Sequence, residues 1–155
     1  MRVLLLIAPE SPALVGLTPI LATLIARGAT IEAGPAALRL RAEEIQVTEH
    51  ADAAGLDQAA ASLTSGDLLI APGGAGAPPA AIVAITRALL AAESGPIIVV
   101  DPTAIGDLIS DMGSAGNLAT MRSELQRSAA LAIAAHVAPL VRDSEAAMPA
   151  RDVIV

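Results

Sequence analysis

Two carboxylates stand directly after apolar runs, where strand-end chemistry sits in parallel α/β proteins. Glu10 follows Val3 to Ala8 (VLLLIA) across Pro9, and Asp101 follows Ile97 to Val100 (IIVV). Ligands of open α/β sheets bind beyond the carboxyl ends of the strands. Two carboxylates brought together there hold one proton between them, and such a pair serves as general acid and general base. Each also has a plainer role. Asp is a favoured helix N-cap and Pro a favoured first helical residue, so Asp101-Pro102 is what a helix start requires for its own sake. A strand-end Glu is commonly solvated or caps the helix that follows.

A third strand end carries Pro72-Gly73-Gly74-Ala75-Gly76 after Asp67 to Ala71 (DLLIA). Glycines there free backbone N–H groups to point outward at an anion or oxyanion. Gly73, Gly74 and Ala75, with Pro102 and Thr103 of the next strand end, are the candidate binding residues. A tight turn with close backbone packing explains the same glycines. The loop is not a dinucleotide fingerprint, because Pro79 stands where the third glycine is needed, and it is not a Walker loop, because the chain has no Lys.

The remaining chemistry is sparse. The 155 residues include no Cys, which removes disulfides, thiolate metal sites and thiol catalysis. His50 and His136 are isolated and read as surface or helix-end residues, so no metal is expected. Ser110-Asp111 reads as a helix end, and no serine stands on a G-x-S-x-G elbow. A net charge of −7, nine scattered Arg and no aromatic residue argue against nucleic-acid binding. No stretch of about 18 apolar residues is free of Pro and charge, which argues against a membrane span. The start resembles a signal peptide only superficially, since Pro9-Glu10 interrupts its short apolar core, and a cytoplasmic protein is expected.

The elements that must position these residues alternate in type. Strands are expected at Val3 to Ala8, Ala29 to Ala33, Asp67 to Ala71, Ile97 to Val100 and Val137 to Val141, with a last β-prone segment at Asp152 to Val155. Continuous apolar runs of this kind mark strands buried on both faces. Helices are expected at Ala13 to Arg27, with a start or kink at Pro19, and at Leu56 to Leu63, Ala80 to Glu93, Pro102 to Asp111 and Ser123 to Ala135. Residues 113–116 read as a loop. Leu38, Leu40, Ile45 and Val47 alternate with Arg39, Arg41, Glu43 and Glu44, which suggests a hairpin with one wet face. The order implies one α/β domain over residues 1–155, a mainly parallel sheet with helices on both faces. Apolar residues make up 54% of the chain without any Phe, Tyr or Trp, so Ala, Leu, Ile and Val must fill the core alone. Abundant Ala and Arg without Lys suit a high-GC genome. The loss of every aromatic suits a reduced alphabet produced by design or directed simplification.

Several segments, in order, resemble the DJ-1/PfpI family of the class I glutamine-amidotransferase-like fold, and most of all its isonitrile hydratase and AraC-linked members. LLLIAPESPALVGLTPILATL is similar to the family's first strand and helix, and SGDLLIAPGGAG to its strand and PGG loop. GPIIVVDPTAIGDLIS is similar to its strand and nucleophile elbow, GNLATMRSELQ to its later R-x-A-T-x-H segment, and VRDSEAAMPARDVIV to the stretch leading into the final strand. The resemblance implies a flavodoxin-like three-layer sandwich, a homodimer and backbone oxyanion donors near Gly73 and Gly74. The departures matter as much. The elbow cysteine is replaced by Asp101, the acidic partner falls at Val15, the histidine falls at Met121, and the family's last strand and helix have no counterpart. A carboxylate is a far poorer nucleophile than an activated thiolate. The resemblance therefore implies a non-catalytic domain, a pseudoenzyme or a simplified scaffold, with no cofactor. The alternatives are a hydratase or hydrolase using Asp101 with Glu10 as general base on a small molecule, and a dimerising module that senses a small ligand.

Overall fold

The apolar runs become the strands of a sheet that is parallel throughout. A computed structural model describes residues 1–71, 78–101 and 115–147. Five strands, β1 (Arg2–Leu5), β2 (Thr30–Ala33), β3 (Thr48–Glu49), β4 (Leu68–Ile70) and β5 (Ile97–Val99), stand in the order β3-β2-β1-β4-β5. Each neighbouring pair is parallel, with Leu4 opposite both Glu32 and Leu69, and Leu69 opposite Ile98. With the two-residue β3 set aside, the order is the opening of a flavodoxin-like sheet. The chain leaves β1 toward β2 on one side and returns to β4 on the other. The switch point of the topology is therefore at the carboxyl ends of β1 and β4.

Strand alternation divides the core into two layers. Val3, Leu5, Ile31, Leu68, Ile70 and Val99 face helices α1 (Ala13–Ala26) and α2 (Ala37–Ala42). Leu4, Leu6, Leu69 and Ile98 face α3 (Ala53–Ala61) and α4 (Pro79–Ala91). The last helix, α5 (Ala115–Ala147), joins both layers: Met121 and Leu125 pack on the first, and Ala129 and Ile133 on the second. It thus packs across β5, which is the edge strand among the described residues.

Local signals explain the helix limits. Leu14, Leu17, Leu21 and Leu24 form the buried stripe of α1. The helix runs through Pro19 without a restart. The carbonyl that loses its partner belongs to Val15, a residue on the exposed face of the helix. Gly28 takes a left-handed φ of 91°, and the Ala29 N–H reaches back to Leu24 O to close the end of α1. Asp52 caps α3 by accepting from Gly55 N at 2.7 Å, and Pro78-Pro79 opens α4.

Three expectations are corrected. The alternating segment 38–47 is not a hairpin: Ala37 to Ala42 is helical with Ala37 and Leu40 buried, Leu38 faces solvent, and Glu44 (φ 64°) turns the chain toward β3. Val137 to Val141 is not a strand but part of α5, since the Ala-rich flanks carry the helix through Pro139. The expected loop at 113–116 already contains the start of α5 at Ala115. The helix expected from Pro102 to Asp111 and the β-prone Asp152 to Val155 lie outside the described residues.

Candidate functional site

The carboxyl edge carries the residues singled out from the sequence. β1 runs into a tight turn in which Ser11 N donates to Ala8 O at 3.0 Å, leaving Pro9 and Glu10 at its two central positions. Arg39 of α2 pins this turn, with Nη1 donating to Pro9 O at 2.6 Å and to Ser11 O at 3.2 Å. Glu10 itself is exposed. Asp101, two residues beyond β5, is also exposed and sits in a bend. Strand β4 lies between β1 and β5, so about two strand spacings, roughly 10 Å, separate the strands that lead to these carboxylates.

The Ala71 N–H donates to Val99 O at 2.9 Å. The chain therefore enters the glycine loop beside the strand that leads to Asp101, as the parallel register requires. Gly73, Gly74, Ala75, Pro102 and Thr103 themselves lie outside the described residues.

Beside the switch point is a cavity of about 270 Å³, lined by the end of β1, the residues after β2, Leu56 of α3 and the start of α4. Its lining contains Pro9 but neither Glu10 nor Asp101, and the described side chains around it are Leu, Ile, Ala and Pro. The βα turn at Ala8 to Pro12 has none of the glycines that let a pyrophosphate approach the backbone.

A second constellation, invisible to motif reading, runs from the amino ends of β1 and β4 across Glu32 of β2 to His50, just past β3. The Arg2 guanidinium grips Glu32 from the side, Nε to Oε2 at 2.8 Å and Nη2 to Oε1 at 3.1 Å, while Nη1 donates to Ser62 Oγ at 2.8 Å. His50 Nε2 lies 2.9 Å from Glu32 Oε1. An ionised carboxylate only accepts, so this nitrogen bears the hydrogen. Glu32 is only 7% exposed, and its strand faces it toward α3. Asp67 completes the cluster: Oδ1 accepts from Arg2 N at 2.8 Å, and Oδ2 from Thr64 N at 2.8 Å and Thr64 Oγ1 at 3.2 Å.

The electrostatics follow from these bonds. The Arg2 guanidinium holds the Glu32 carboxyl below the usual range, against the opposing effect of burial, and His50 adds to the lowering. Burial alone would raise Asp67, but the N–H groups of Arg2 and Thr64 and the Thr64 hydroxyl outweigh it and bring the carboxyl down. Among the described residues no buried side-chain polar atom lacks a partner. A site whose buried side-chain polar atoms are all partnered and whose central carboxylate is buried clamps strands together rather than receiving a substrate.

Sequence reading placed His50 at the surface and passed over Glu32. The available signal was a lone acid inside an apolar strand, ATIEA, which demands a partner when buried. His136 is half-buried on α5. Among the described residues no group of three or more His, Asp or Glu is placed to hold a metal ion, and no helix is long and apolar enough to cross a membrane. A scan against protein-family models, a search of curated proteins and a search of solved structures each return no match to the chain.

Proposed function

We propose that this chain is a non-catalytic DJ-1/PfpI-like α/β domain, a pseudoenzyme or aromatic-free scaffold that has kept the architecture and lost the chemistry. One observation carries the reading. The two strand-tip carboxylates are exposed and lead from strands separated by β4, and neither borders the cavity beside the switch point. A general base works by aligning with a bound substrate at hydrogen-bond distance, and the described residues give Glu10 and Asp101 no common enclosure in which to do so. The complete lack of cysteine removes the thiolate route to covalent chemistry.

The test is a rate survey against small electrophiles, among them glyoxals and isonitriles, across pH. The expected result is no turnover above buffer for the wild type, for Glu10→Gln or for Asp101→Asn. Turnover in the wild type that disappears in Asp101→Asn overturns the reading and puts a hydratase or hydrolase in its place.

The domain is proposed to act as a homodimer in the cytoplasm. The stretch of α5 from Ser128 to Val141 contains no Asp, Glu, Lys or Arg, although the chain as a whole is acidic, and Leu131, Val137, Leu140 and Val141 are exposed on it. A second copy meets this surface without burying a charge. Sedimentation at micromolar concentration is expected to give a dimer, and Leu140→Glu a monomer. A wild type that stays monomeric defeats this assembly.

A further inference from the structure

From the cavity at the carboxyl ends of β1 and β2 we infer a binding site for a small, uncharged, aliphatic molecule, independent of any family assignment. The cavity is a half-open hollow of about 270 Å³. That is the liquid volume of roughly nine waters, room for a compact ligand of up to about nine non-hydrogen atoms. Water is a poor occupant, because it needs two to four polar partners and the wall formed by the described residues exposes almost only carbon. A charged ligand is a worse one, since none of the described lining side chains can pair with it. An aromatic ligand would find no aromatic partner to stack on, as the chain has none. What remains is shape and hydrocarbon contact.

The wall is shaped by a specific close approach. Gly34, just past β2, is buried against Leu56 of α3, and a Cβ placed on Gly34 would lie 2.8 Å from Leu56 Cδ1. Glycine therefore lets Leu56 lie over the end of β2 as part of the lining. A side chain at 34 displaces the leucine and changes the cavity outline. On the other side Ala80, at the start of α4, contributes only a methyl group. A larger residue there fills the space. The position lies beyond the carboxyl ends of the strands, where ligands of open parallel sheets bind, and beside the β1/β4 switch point.

Cyclohexanol is the probe, with cyclohexanecarboxylate and cyclohexylammonium as charged analogues of the same skeleton. Binding is read by methyl NMR shifts of Leu6, Ile7 and Leu56 in the full chain. Burying the ring predicts saturable shifts with a Kd on the order of 0.1–1 mM. Both charged analogues are expected to bind at least about tenfold more weakly. Ala80→Leu is expected to weaken cyclohexanol about tenfold or more by occupying the space. Gly34→Ala is expected to shift the Leu56 methyls without ligand and to change the affinity. It serves as the second variant should Ala80→Leu not fold by circular dichroism. The site is refuted by the absence of saturation at the solubility limit, by equal binding of the charged analogues, or by shifts centred on exposed Leu38 and Leu90 instead of the lining.

Discussion

The two ends of the sheet are built from opposite materials. At the amino ends of β1 and β4 Arg2, Ser62, Thr64 and Asp67 are tied together by short polar bonds, and the Arg2 guanidinium carries the network across to Glu32 of β2 and His50, just past β3. At the carboxyl end the β1 and β2 tips meet α3 and α4 across hydrocarbon and leave a cavity. Both ends belong to the same strands, and α3 spans them: Leu56 borders the cavity, and Ser62 holds Arg2. The difference separates two tasks. A saturated polar network fixes which strand lies beside which, because every group in it loses a partner if the register slips. An apolar cavity contributes nothing to register, and that leaves it open to hold a ligand. In parallel sheets the two tasks fall at opposite ends because ligand sites gather where the strands finish.

The sharpest way to break the comparison is to remove the amino-end cation. Arg2→Leu leaves the Glu32 carboxylate buried with only His50 beside it, while Asp67 keeps its bonds from the backbone N–H of residue 2 and from Thr64. Removing one partner of a buried pair is strongly destabilising, and here the guanidinium is partly exposed, so the loss is expected at about 2–3 kcal/mol. Urea unfolding measures it. A loss below about 0.5 kcal/mol, the ordinary surface value, would mean that the network does not hold the edge.

Acid attacks the same end. Glu32 and Asp67 both have folded-state pKa values below their unfolded ones. Each therefore adds stability that is complete above the unfolded carboxylate range, near pH 4, and is lost as pH falls through the lower folded values. Stability is expected to drop below about pH 4, and Glu32→Gln to flatten that drop while lowering stability at pH 7. Unfolding curves at pH 7, 5, 4 and 3 give the slope. An identical acid limb in wild type and Glu32→Gln would remove Glu32 from the network's energetics.

The contrast between the two ends also explains what could be read beforehand. The strands that position the carboxyl edge were legible because each is a short apolar run bounded by Gly or Pro: ATIEA before Gly34, DLLIA before Pro72, IIVV after Gly95-Pro96. Periodicity failed where a segment was too short to choose. Leu38 and Leu40 fit a period of two, but Ala37 and Leu40 fit a helical turn equally well, and packing against α1 and β2 decided for the helix. Val137 to Val141 failed for the opposite reason. β-branched residues and Pro139 suggested a strand, while a long Ala-rich neighbourhood favoured continuing the helix. Arg2, Glu32 and His50 are far apart in sequence and meet only through the pairing of β1, β2 and β3, so no spacing announces them. The cavity is equally silent, since it depends on Gly34 and Leu56 facing each other across 22 positions.

The smallest expected effect falls at the start of α3, the helix that joins the two ends. Asp52→Ala removes the side chain that accepts from Gly55 N, and loss of such a cap costs about 1 kcal/mol. Asp52 is exposed, and its cap borders His50, whose Cβ lies 3.6 Å from where a Cβ on Gly55 would stand. Fraying the first turn of α3 loosens Leu56 before it loosens Ser62 at the far end of the helix. Amide hydrogen exchange is therefore expected to speed up over residues 53–57 and to stay unchanged around Ser62 to Leu68. Leu56 methyl signals should broaden while the Arg2 guanidinium signals keep their position. If exchange accelerates equally at both ends, α3 transmits the disturbance as a rigid unit, and the sheet's two ends are mechanically one.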